Sequence, residues 1–173
     1  MKNKKAFQIT TIRKKISFSL IIIPLLLISA THKEGYPRYL FQAGTPSTIG
    51  NFLYPEKGCN WLGIVGQVFD GGEPVENIIV KLEGEFDGEP LLIYAITGGT
   101  PGLGKGGFEL FLSSSLVASD NTLNIQLINM IGIPISPEYS ISTYADCSKN
   151  TILVNFLNFD SENDVFFPQI YKR

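Results

Sequence analysis

The chain has 173 residues with 14 Lys and Arg, 16 Asp and Glu and a single His, for a formal charge of −2. That length bounds it to one domain, or one domain with tails, and a hydrophobic share of 44% with 12% aromatics supplies a core and excludes wholesale disorder. The charge is unevenly spread. Residues 1–30 hold six cations (Lys2, Lys4, Lys5, Arg13, Lys14, Lys15) and no acid, whereas residues 31–173 hold eight cations against all 16 acids, a balance of −8. An acidic body of this kind excludes nucleic acid as the expected partner, because phosphate binding needs clustered Lys and Arg.

The first element in chain order is the uncharged run Ile16–Ala30, ISFSLIIIPLLLISA, behind the basic segment. Its length suits the apolar region of an export signal, whereas spanning a bilayer takes about 20 residues as a helix. Pro24 interrupts it. Residues 1–30 are therefore read as a hydrophobic signal helix, cleaved after Ala30, or as an uncleaved N-terminal membrane anchor with its basic end inside. Either way residues 31–173 are expected to be exported, secreted or at the cell surface, and only residues 16–30 would touch membrane.

Residues 31–58 carry Gly and Pro at short intervals without clean periodicity and read as an extended lead-in. Seven short apolar segments follow, at 61–69, 77–86, 91–96, 108–112, 122–128, 139–143 and 151–156, separated by turn residues such as Asp70-Gly71-Gly72-Glu73-Pro74. Alternation is clearest where Asn124 and Gln126 fall between Leu123, Ile125 and Leu127. The one helix candidate, Ser113–Ser119, is too short to count. The pattern predicts an all-β fold: a single antiparallel β-sandwich of about seven strands over residues 59–157, with a tail at 158–173.

Cys59 and Cys147 are the only cysteines and flank most of this strand-rich region. In an oxidising compartment they are expected to form one disulfide. Two cysteines and one histidine do not make a four-ligand zinc site.

The run Ile64-x-Gly66-x-Val68-x-Asp70, Pro74-Val75-x-Asn77-x-x-Val80-x-Leu82 and Gly106-Gly107-Phe108-x-Leu110 resembles the carboxypeptidase regulatory-like (prealbumin-like) β-sandwich, with an Ig-like architecture. More specifically, Gly58-Cys59-Asn60-Trp61 through Thr143-Tyr144-Ala145-Asp146-Cys147 and 150–156 resembles an exported bacterial domain family to which no activity is assigned. This second likeness covers roughly 100 of the 173 residues. Both imply a β-sandwich; neither implies a catalytic residue.

Several motifs invite a chemical reading. Gly99-Thr-Pro-Gly-Leu-Gly104-Lys105 fits the first seven positions of a phosphate-binding loop, but Gly106 stands where Ser or Thr would hold magnesium, and Phe108-Glu-Leu-Phe-Leu reads as a strand where a helix is needed. A Ser-His-acid triad would have to use His32 in the lead-in with a Ser such as Ser113, Ser114 or Ser115. Glu83, Glu85, Asp87 and Glu89 alternate and share one strand face, with a turn at Asp87-Gly88 as the simpler reading. Calcium candidates are Asp70 with Glu73, and Glu83 with Glu85, although calcium wants six to eight converging oxygens. Asp160-Ser-Glu162-Asn-Asp164 lacks the central Gly and closing Glu of a calcium loop. Trp61, Tyr94, Tyr139 and Tyr144 are candidates for sugar stacking or for the core. The ending Val165–Arg173, VFFPQIYKR, reads as a sorting or retention segment or as a loose edge strand. These readings together predict an exported, non-catalytic structural or binding module without a cofactor, meeting a surface protein or a glycan. The alternative is a calcium-assisted carbohydrate-binding module.

Overall fold

A computed structural model describes residues 39–158. Residues 1–30, read above as a signal or an anchor, His32, the acidic stretch 160–164 and the ending 165–173 lie outside the described residues. Within them the fold is all-β, with ten strands and no α-helix, so no described helix is long and apolar enough to cross a membrane.

The strands are β1 (Tyr39–Phe41), β2 (Ser47–Ile49), β3 (Leu62–Asp70), β4 (Glu73–Pro74), β5 (Ile79–Phe86), β6 (Glu89–Ile96), β7 (Gly107–Ser113), β8 (Ser119–Ile128), β9 (Tyr139–Thr143) and β10 (Thr151–Asn158). Each of the seven apolar segments of the sequence is a strand, from β3 and β5 through β10. The lead-in supplies β1 and β2, which its sequence did not announce, and both pair with β10.

Two sheets form. The six-stranded sheet runs β1-β10-β3-β4, with β2 also on β10 and β7 also on β3; the four-stranded sheet runs β6-β5-β8-β9. Their facing sides share one core in which Ile64, Val68, Phe108, Val154 and Phe156 meet Val80, Leu82, Leu123, Ile125 and Ile141. Burial of such side chains supplies the main driving force, about 1.5–3 kcal/mol each.

The expectation of a wholly antiparallel sandwich is corrected at one seam. β10 lies parallel to β3 from Thr151 beside Gly63 to Asn158 beside Asp70. Local alternation does not encode strand direction. Parallel pairing needs a long crossover, and here the whole run from β4 to β9 serves as that connection. The Asp87-Gly88 turn forms as read, with φ of +54° and +80°, and closes the β5–β6 hairpin between Phe86 and Glu89. Ser113–Ser119 is not helical; it joins the end of β7 to the start of β8.

The outer face of the six-stranded sheet is covered at its centre, over β3, while Leu40, Ile49 and Phe111 around it are exposed. Trp61 and Val65 are fully buried there, outside the shared core. The Trp61 indole lies against Gly63, where a Cβ would be only 2.7 Å from two of its ring carbons. Tyr54, from the lead-in, packs its ring 6.0 Å from that indole and donates its hydroxyl to Glu109 of β7 at 2.7 Å. β3 is thus buried on both faces and reads as a nearly continuous apolar run, as buried central strands do.

Cys59 and Cys147 are bonded. The bond ties the residues just before β3 to a 3-10 turn at Cys147–Lys149, just before β10. Asn150 reinforces the same junction: its Nδ2 donates to the carbonyls of Gly58 (2.9 Å) and Trp61 (2.8 Å), while its own carbonyl accepts from Gly63 N–H at 3.1 Å.

Candidate interaction surface

The outer face of the four-stranded sheet is covered only on its β8 side, where Gln126 is buried and donates to the Ser136 carbonyl; its β6 side is open. Strand register arranges its side chains in rows: Ile96, Ile79 and Ile128; then Tyr94, Lys81 and Gln126; then Leu92, Glu83 and Asn124. The first row is wholly apolar, and Leu92 (55%), Tyr94 (57%) and Ile96 (40%) stand in solvent.

The β8–β9 loop extends this apolar end. Asn129 Oδ1 accepts from the N–H groups of Ile131 (3.1 Å) and Ile133 (2.9 Å), and Asn129 N–H donates to the Ile133 carbonyl. The loop is therefore held by its own polar atoms while Met130 (65% exposed) and Ile131 (80%) point outward. Between loop and sheet runs a shallow groove of about 500 Å³, lined by Ile79, Tyr94, Ile96, Ile128 and Met130. Clustered apolar side chains left in water on an otherwise well-packed domain mark contact surfaces.

Farther along the sheet, charge is neutralised locally. Lys81 Nζ lies 2.6 Å from Glu83 and 3.6 Å from Glu138. The hydrogen bond to Glu83 raises the Lys81 pKa, and the same bond holds the Glu83 carboxyl below the ordinary range. Because Glu83 is lowered in the folded state, its contribution is present above the unfolded carboxylate range and is lost as pH falls through the folded value. Glu83→Gln is therefore expected to flatten the acid limb of a plot of urea midpoint against pH, below about pH 4. An unchanged limb would show that the pair adds nothing.

The aromatic candidates separate into two groups. Trp61 is core-like, and Tyr139 stacks on Phe41 with centroids 3.7 Å apart and accepts Phe41 N–H at its hydroxyl. Tyr94 lies on the apolar face. Tyr144, 39% exposed, borders a polar cleft of about 230 Å³ with Thr48, Asn121, Ser140 and Ser142. The carboxylate candidates are dispersed. Asp70 and Glu73 face each other across β3–β4 in the six-stranded sheet, and Asp70 accepts from Asn158 Nδ2 at 2.9 Å and from the Tyr39 hydroxyl. Glu83 and Glu85 lie on β5 of the other sheet. Among the described residues no group of three or more His, Cys, Asp or Glu is placed to hold a metal ion. Residues 99–105 connect β6 to β7 and lead into a strand.

Met130, Ile131 and Ile133 are the surface residues that sequence reading passed over. The available signal was an apolar composition in Asn129–Ile135, a stretch otherwise marked as a turn by Gly132 and Pro134. No protein-family model, curated protein or solved structure matches the chain.

Proposed function

We propose that this chain is an exported, non-catalytic structural or binding module of the cell envelope or surface, acting through the outer face of the four-stranded sheet. The observation that carries the reading is the contrast between the two sheets. One has the centre of its outer face covered by Trp61 and Tyr54, with Leu40, Ile49 and Phe111 exposed on separate strands around it; the other gathers Tyr94, Ile96 and Met130 along one groove, with Ile131 beside them in water. The Cys59–Cys147 bond supports an oxidising destination. The seven longer strands, β3 and β5–β10, correspond in this reading to a prealbumin-like or Ig-like sandwich, with β1, β2 and β4 added to it. Membrane contact is confined to residues 16–30 if they stay attached, and nucleic acid has no place in the proposal.

Met130→Asp with Ile131→Asp tests it. Both residues are exposed, so stability should change by less than about 0.5 kcal/mol. Retention of the full chain in envelope fractions is expected to drop severalfold at an unchanged melting temperature. Retention equal to the parent's would refute the role of this face.

The cleft beside Tyr144 favours a second reading, a calcium-assisted carbohydrate-binding module. Its hydroxyl and amide groups suit a sugar, and the partly exposed Tyr144 ring could stack on one. Glycan binding that disappears with chelator and in Tyr144→Ala would establish it; an empty glycan array would remove it.

A further inference from the structure

β6 is an edge strand of unusual character. Among the described residues it has β5 on one side only, and residues 90–96, PLLIYAI, carry no charge. Exposed, uncharged edges of this kind are templates for another strand.

The main-chain pattern fixes which groups are on offer. Thr97 N–H donates to the Ile78 carbonyl. By the alternation of antiparallel ladders, residues 91, 93 and 95 direct their N–H and C=O groups at β5, and residues 90, 92, 94 and 96 direct theirs to the open side. Leu92 and Tyr94 therefore each present a donor and an acceptor. The ends of the edge are incomplete in a matched way. Pro90 has no N–H to give, and the Ile96 carbonyl is already occupied by Gly99 N–H at 3.1 Å.

We propose that β6 pairs antiparallel with β6 of a second copy of this chain, about a two-fold axis at Ile93. In that register Leu92 faces the partner copy's Tyr94 and exchanges both bonds with it, and the reciprocal pair does the same. Pro90 faces the partner copy's Ile96, so the missing donor meets the occupied acceptor while Ile96 N–H reaches the Pro90 carbonyl. No other acceptor is left waiting for a proline. Glu89 falls opposite Thr97, so no like charges are juxtaposed. The two four-stranded sheets join into one, and their exposed faces become continuous. The pairing goes beyond the contact role proposed above: it names a partner for the strand edge, and its failure would leave the Met130 and Ile131 test untouched.

Light scattering on the full chain over about a hundredfold range of concentration is expected to show its mass rise from one copy to two. Leu92→Glu with Tyr94→Glu sets acids directly opposite each other across the two-fold. This pair of changes should weaken association at least about tenfold, with a small fall in melting temperature because Leu92 also lies opposite Glu83 within the sheet. Leu92→Lys with Tyr94→Glu, which pairs opposite charges in the same register, should restore it. Ile93→Cys alone should cross-link to a dimer, since only residue 93 meets itself, at about 4.5 Å between Cα atoms. Leu91→Cys alone should not. A chain that stays monomeric throughout overturns the proposal. So does a dimer indifferent to these charges, and so does a monomer whose Leu92 and Tyr94 amides resist hydrogen exchange, which would put another segment on the edge.

Discussion

Gly66→Ala is expected to remove most of the fold's stability, about 3 kcal/mol or more. Gly66 lies at the middle of β3, with Val154 of β10 on one side and Phe108 of β7 on the other. A Cβ there would land on the Val154 carbonyl oxygen and within 2.9 Å of the Phe108 ring. The oxygen belongs to backbone, so no rotamer change relieves the overlap; β3 and β10 would have to separate. That seam carries β10, and through it β1 and β2, against the rest of the sheet. Net stabilities of domains this size are about 5–15 kcal/mol, so the loss would be visible as a collapse of the urea midpoint. Gly50→Ala is the matched control. The nearest atom to its added Cβ is 3.7 Å away, and a change within about 0.5 kcal/mol is expected. Equal effects at both positions would refute the close approach at the seam.

Loss of the disulfide is the second large effect. Cys59 and Cys147 are 88 residues apart in sequence, and opening that loop restores roughly 4–5 kcal/mol of unfolded-state freedom on a chain-entropy treatment, with measured losses for native bonds of about 2–5. The bond pins the beginnings of β3 and β10 together, and Asn150 bridges the same point through Gly58 and Trp61. The double variant Cys59→Ser with Cys147→Ser should therefore keep the native register while its urea midpoint falls by an amount worth about 2–5 kcal/mol. Cys59 is exposed and Cys147 half-buried, so dithiothreitol alone should reproduce the shift. An unchanged midpoint in either experiment would contradict a structural role for the bond.

The strands were legible because period-two alternation and turn residues are local signals, as at Leu123, Ile125 and Leu127 or at Asp87-Gly88. Strand direction was not legible. The parallel β3–β10 pair joins segments separated by most of the domain, and nothing in TILVNF states which way it lies beside GIVGQV. β1 and β2 were hidden for another reason: each is three residues long and takes its order from β10 rather than from its own composition. The site was partly legible. Tyr94 was singled out as an aromatic candidate, and it does stand in solvent. Trp61, chosen on the same grounds, is sealed under the lead-in. Residue type alone could not separate the two, because the difference lies in Tyr54 of the lead-in packing over Trp61 while nothing among the described residues packs over Tyr94. Met130 and Ile131 were missed because apolar residues in a turn carry no periodicity, and it takes the Asn129 hydrogen bonds to hold them outward.

The most direct test of an exported, disulfide-closed module is thiol labelling on intact cells and their medium with a membrane-impermeant maleimide, with and without an impermeant phosphine reductant. The expected result is that Cys59 and Cys147 label only after reduction, and without lysis. Labelling without reductant, or only once the cells are broken, would contradict it.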